Sequence, residues 1–133
     1  MMAPETTAAI ASNATAKGDV LATARVAGIQ AAKMAATVLP MAHPVLVGNV
    51  YVNFTISDNF IEVEAGVDTV DRTGVEMEAL VSVTTAALTI YDMCKSMDRT
   101  MTIEQVALWE KSGGRSGSWR RAASEGDDPF VRA

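Results

Sequence analysis

"VLVGNVYVNFTISDNFIEVEAGVD", residues 45–68, is the stretch whose periodicity decides the fold. Val50, Val52, Phe54 and Ile56 alternate with Tyr51, Asn53 and Thr55, the period-two pattern of a strand with one buried face. Ile61, Val63, Ala65 and Val67 then alternate with Glu62, Glu64 and Asp68, and "SDN" at 57–59 supplies turn chemistry between the two runs. The pattern predicts an antiparallel hairpin of two strands, 45–56 and 61–68.

Helical sequence lies on both sides of it. "GDVLATARVAGIQAAKMAATV", 18–38, is rich in helix formers, with Asp19 placed to cap its start. Pro40 and Pro44 stop that helix and hold His43 between them in a stiff, extended loop. In "DRTGVEMEALVSVTTAALTIYDMCKSMD", 71–98, Asp71 or Thr73 is the start signal, and Glu76 and Glu78 fall where carboxylates suit the helix dipole. A long helix over 74–96 is predicted, followed by a shorter strand over 101–110 around Val106 and Leu108. After Lys111 the sequence turns to Gly, Ser and charge, the composition of a loop and a mobile tail. The order predicts an α+β layer fold, helices on one face of an antiparallel sheet, in a single domain over 1–121 with a tail at 122–133.

The bulk properties bound the function. With 133 residues, 49% of them hydrophobic and 20% charged, the chain has the composition of one globular domain. Aromatic residues are only 5%, so the core must be built from Ala, Val, Ile, Leu and the 8 Met, which favours close contact between small-faced elements. A formal net charge of -5 argues against nucleic acid and anionic membrane as partners, so any anionic ligand must meet a local basic cluster. Cys94 is the only cysteine, which excludes an internal disulfide, and with His43 the only histidine neither a Cys/His zinc site nor a Ser/His/Asp triad is expected. "MMAPETTAAIASNATA" at the start lacks the basic and continuously apolar parts of a secretory signal, and a cytoplasmic protein is expected.

The chemistry-bearing residues are few. Asp92 and Lys95, in "IYDMCKSMD" at 90–98, close a segment with no charge since Glu78. Lys95 complements the negative end of a helix, whereas Asp92 opposes it, and a pair at this spacing regains only about 0.2–0.5 kcal/mol. A plain surface pair is one reading; a proton acceptor and donor on adjacent turns is the other. Apolar or small residues surround every side of this helix, which predicts burial around most of its circumference and a partner subunit to supply the cover. Glu76 and Glu78 stand roughly 20–28 Å from Asp92 and Lys95 along the axis, too far to share one small-molecule site within a chain. Lys17 precedes Gly18 and Asp19 at a helix start, a place to hold an anion. "KSGGRSG", 111–117, either wraps a phosphate or is an ordinary loop; it is not a Walker A loop, because its Lys precedes the glycines. Arg25 and Lys33 read as the solvated face of the first helix, and Cys94 as a packing residue.

Five stretches, "KGDVLATARVAGIQAAK" at 17–33, "LPMAHP" at 39–44, "DRTGVEMEAL" at 71–80, "LTIYDMCK" at 88–95 and "KSGGRSG" at 111–117, occur in an order that resembles the molybdenum cofactor biosynthesis protein C family, the cyclic pyranopterin monophosphate synthases. The resemblance implies a ferredoxin-like fold and a homo-oligomer, a hexamer built as a trimer of dimers with the active site at the dimer interface. It implies a lyase that converts 3',8-cyclo-7,8-dihydro-GTP into cyclic pyranopterin monophosphate with release of pyrophosphate, using no metal or redox cofactor. The family's catalytic residues fall on Asp92, Lys95 and Lys17, and its substrate contacts on Met41, Ala42, His43, Glu76, Met77, Glu78 and Lys111. The chain departs from the pattern in two places: Ala42 stands where the family has Cys, and the opening strand and most of the first helix have no counterpart before Pro4, an N-terminally shortened version of the fold. The second departure keeps open a noncatalytic paralogue or scaffold that binds a pterin, a nucleotide or a partner chain without turnover.

Overall fold

The hairpin forms as its alternation requires. In the computed structural model, which describes residues 1–122, β1 (Val47–Ile56) pairs antiparallel with β2 (Ile61–Thr69), setting Ile56 opposite Ile61 and Val52 opposite Ala65. Val52 is buried, and Phe54, Ile61, Val63 and Ala65 pack against the same core, so the even positions of β1 and odd positions of β2 face inward. On the opposite face Tyr51 stands across from Gly66, and its ring occupies the place a side chain there would take. Of the expected tail at 122–133, all but Ala122 lies outside the described residues.

Before the hairpin come three helices: α1 (Pro4–Ala11), α2 (Val20–Ala32) and α3 (Ala35–Val38). The one helix predicted over 18–38 is therefore two, broken at Lys33 and Met34. Asp19 caps α2 as expected, its carboxylate accepting from Ala22 N at 2.9 Å. Helix α1 carries a Pro in its first turn and has no side-chain cap of its own. Its start is tied to a residue far along the chain: buried Asp98 accepts from the amide of the N-cap residue, Ala3 N, at 2.8 Å and is 3.4 Å from the Thr6 hydroxyl.

After the hairpin, α4 (Glu76–Cys94) runs antiparallel to α2, since Lys17 meets Asp92 while Gly28 lies against Ser82 and Ala86. A Cβ on Gly28 would stand 3.1 Å from the Ser82 main-chain oxygen and 3.3 Å from Ala86 Cβ, so glycine sets how closely the helices approach. The core they form with β1 is built from small side chains, with Ala24, Ala86 and Cys94 fully buried. Val75 is the N-cap of α4 and offers no side-chain bond; Asp71 instead accepts from Leu46 N at 2.7 Å, tying the two ends of the hairpin.

One further expectation is extended and one corrected. Arg25 is exposed as expected, and it also clamps α2 to β1: its Nε donates to Val52 O at 2.9 Å and its guanidinium lies 5.4 Å from the Phe54 ring centroid. Residues 101–109 form no strand; only β3 (Glu110–Lys111) pairs, with β4 (Trp119–Arg120). A strand exists through its hydrogen-bonded neighbour, and among the described residues β2 has only β1 beside it. The architecture is α+β, helices over one face of an antiparallel sheet, in keeping with the ferredoxin-like class. Among the described residues no helix is long and apolar enough to cross a membrane.

Candidate active site

The C-terminal end of α4 gathers three of the expected residues. Lys95 Nζ sits 2.6 Å from Asp92 Oδ1, and Lys17 reaches the same residue from the turn before α2, 3.1 Å from its main-chain oxygen and 3.8 Å from Oδ2. That turn is fixed by a Thr15 hydroxyl that donates to Gly18 O, and by Gly18 itself at φ +93. Both lysines suit the free carbonyls of a helix end. Asp92, the wrong charge for that place, is stabilised by them: the hydrogen bond from Lys95, then the charge of Lys17, lowers its pKa below the ordinary aspartate value. A carboxylate held ionised between two ammonium groups can accept a proton and can receive an anion beside it.

Burial of this cluster was expected and is absent within one protomer. The side chains of Lys17, Asp92 and Lys95 are 48%, 60% and 55% exposed. Helix α4, which carries Asp92 and ends at Lys95, is likewise covered on one side only: Glu78, Ser82, Ala86, Ile90 and Met93 are inward, while Met77, Leu88 and Asp92 lie on an uncovered stripe.

The N-terminal end of α4 holds a second group. Lys111 Nζ lies 3.1 Å from Glu76 Oε1, and both side chains are largely screened from solvent. Glu76 folds back over Gly74, where a side chain would collide with its carboxylate. Its own backbone N–H, and after it Lys111, lower the Glu76 pKa. Ser116, which the sequence did not single out, partners Lys111 Nζ through its hydroxyl; its signal was the second Ser of "KSGGRSG". Glu78 is buried, Met77 half-exposed.

The two ends are not brought together. Sixteen residues of helix separate Glu76 from Asp92, about 24 Å at 1.5 Å per residue. Met41, Ala42 and His43 form neither end: they lie in the loop after α3, with Met41 and His43 exposed, and no hydrogen bond or ion pair joins His43 to either cluster among the described residues.

The profile of the MoaC family matches residues 1–114. Over 124 residues the chain is 54% identical to the cyclic pyranopterin monophosphate synthase of Thermomicrobium roseum, covering 92% of this chain and 75% of that protein. It is 52% identical over 126 residues to cyclic pyranopterin monophosphate synthase 1 of Mycobacterium tuberculosis, with 94% and 74% covered. The synthase of Chloroflexus aurantiacus is 53% identical over 123 residues, with 91% and 76% covered. The chain belongs to the MoaC family.

Proposed function

We propose that this chain is a cyclic pyranopterin monophosphate synthase of molybdenum cofactor biosynthesis, a lyase that converts 3',8-cyclo-7,8-dihydro-GTP into cyclic pyranopterin monophosphate and pyrophosphate. The observation that carries the reading is the convergence of Lys17, Asp92 and Lys95 on one point, with Lys95 Nζ 2.6 Å from the Asp92 carboxylate. Opening and reclosing a ring requires protons to be taken and returned, and a triphosphate requires cations. Asp92, ionised, accepts the proton; Lys95, within hydrogen-bond reach of it, returns one; Lys17 is the third catalytic group and a contact for phosphate.

The site is completed by a second copy of the chain. One small substrate cannot touch both ends of α4 in one protomer, whereas a neighbour packed on the uncovered stripe would bring its Glu76, Met77, Glu78 and Lys111 beside Asp92. It would also take Asp92 and Lys95 out of water, where each electrostatic contact is stronger. The assembly read this way is a hexamer, a trimer of dimers. Lys111 serves phosphate, Glu76 and Glu78 the guanine-derived ring, and Met41, Ala42 and His43 the substrate from the proline-framed loop.

The test is product formation from the cyclised GTP. Asp92→Asn and Lys95→Ala should each lower turnover by about 10²–10⁴-fold. Rates equal to the parent chain would remove the assigned roles.

A further inference from the structure

The loop at 112–118 is held at its base by little regular structure. β3 and β4 pair at two positions, Glu110 with Arg120 and Lys111 with Trp119, and so short a hairpin is marginal by itself. Gly113 and Gly114 take left-handed conformations, at φ +78 and +73, so the chain between the strands has much freedom to lose. Yet the loop is seated. Lys111 meets Glu76 at 3.1 Å and the Ser116 hydroxyl, and a Cβ on Gly114 would stand 3.8 Å from Gly74 N, at the entry to α4.

The fastening lies just outside the ladder. Arg121 N donates to Trp109 O at 2.8 Å, which extends the pairing by one step, and Arg121 Nε donates to Leu108 O at 2.9 Å. The guanidinium stands 5.8 Å from the ring centroids of both Trp109 and Trp119. Strand alternation accounts for the grouping: Trp109, Lys111, Trp119 and Arg121 fall on one face of the hairpin, with Trp119 next to Arg121 along its own strand and across from Lys111. A flat cation can lie against two rings at once, as an ammonium on a flexible stem cannot.

We propose that Arg121 is a positioning residue for the anion site: packed on Trp109 and Trp119, it clasps the base of the 112–118 loop and so holds Lys111 beside Glu76, where Lys111 meets the phosphate end of the substrate. The inference rests on the reading of Lys111 as a phosphate contact. Arg121 touches no phosphate itself, its guanidinium being engaged by two rings and a carbonyl. Without the clasp the hairpin opens, the seated arrangement is populated only part of the time, and apparent affinity for the anion falls in that proportion.

Two readouts on the full chain test it. Trypsin cleavage after Arg115, followed by mass spectrometry, reads the clasp without reference to any reaction: Arg121→Ala and Trp119→Ala should each speed it about tenfold, with cleavage after Lys33 and the urea midpoint unchanged. Pyrophosphate binding, by calorimetry, reads the consequence: Arg121→Ala should weaken it about tenfold in the parent chain and no further in Lys111→Ala, since the two residues act through one contact. Arg121→Lys keeps the charge, loses the flat face and the Nε donor, and should behave as Arg121→Ala does. Unchanged cleavage after Arg115, no pyrophosphate binding by the parent, a further loss in Lys111→Ala, or full binding by Arg121→Lys overturns the proposal, the last by making Arg121 a charge that meets the anion directly. Turnover separates this failure from that of the synthase reading: a parent chain that forms product while these readouts fail loses the clasp alone, and one that forms none while they hold keeps it.

Discussion

Lys17 Nζ lies 3.1 Å from the main-chain oxygen of Asp92, although 75 residues separate them in sequence. The contact joins the start of α2 to the end of α4 and makes one charge cluster from two distant motifs. Its precision depends on the turn at 15–18, where Gly18 N donates to Thr15 O at 3.2 Å and Gly18 takes a left-handed conformation.

Gly18→Ala meets no atom within 4 Å, so its cost lies in the backbone alone, about 1–2 kcal/mol. Urea midpoints should fall accordingly, and turnover should fall further because Lys17 is no longer aimed. Lys17→Ala should instead leave stability within about 0.5 kcal/mol and remove turnover. A Gly18→Ala chain of full activity would mean that the turn does not position Lys17.

Gly28→Ala places a Cβ 3.0 Å from Val52 Cγ2 and 3.1 Å from Ser82 O. Helix propensity would gain up to about 1 kcal/mol, and forcing the helices apart costs about 1–3 kcal/mol. A net loss is expected, read as a lower urea midpoint at unchanged slope. A more stable variant would show that the α2–α4 seam has room to spare.

Among the described residues Ser82 Oγ is buried without a hydrogen-bond partner. Removing an unsatisfied hydroxyl and restoring alanine's helix propensity should make Ser82→Ala more stable by about 1 kcal/mol. Thermal unfolding tests the sign, and destabilisation would mean that the hydroxyl is satisfied in the assembled protein.

Asp98 gives the acid dependence. Hydrogen bonds from Ala3 N, then from the Thr100 hydroxyl and N, lower its pKa from 3.8 to about 2. The folded value lies below the unfolded one, so the stabilisation is complete above about 4 and is lost as pH falls through about 2. Asp98→Asn should lower the melting temperature by several degrees at pH 7 and flatten its fall between pH 5 and 2. An equally steep fall in the variant would place the acid sensitivity in other carboxylates.

The parts of the fold legible in sequence are those whose signals are local. Val50 to Ile56 and Ile61 to Val67 declare the hairpin, and Glu76 and Glu78 declare the start of α4. Helix α1 was not legible, because the residue that ties down its start, Asp98, lies 95 positions from Ala3. The period-two run near Val106 and Leu108 was misleading, since extended sequence without a neighbour forms no ladder. At the site, Asp92 and Lys95 were visible as charges ending an uncharged helix; that they stand in solvent within one protomer was not, because periodicity reports which faces are apolar and not what covers them. The exposure of Arg25 was legible; its bond to a strand carbonyl was not, for the same reason.

The most direct test of the shared site is complementation between two inactive chains, Asp92→Asn and Lys111→Ala, unfolded together in equal amounts and refolded. If each site takes Asp92 from one protomer and Lys111 from the other, half of the dimers are mixed and each mixed dimer holds one intact site, restoring about a quarter of parental turnover. A mixture no more active than its two components would contradict the account and return both residues to a single chain.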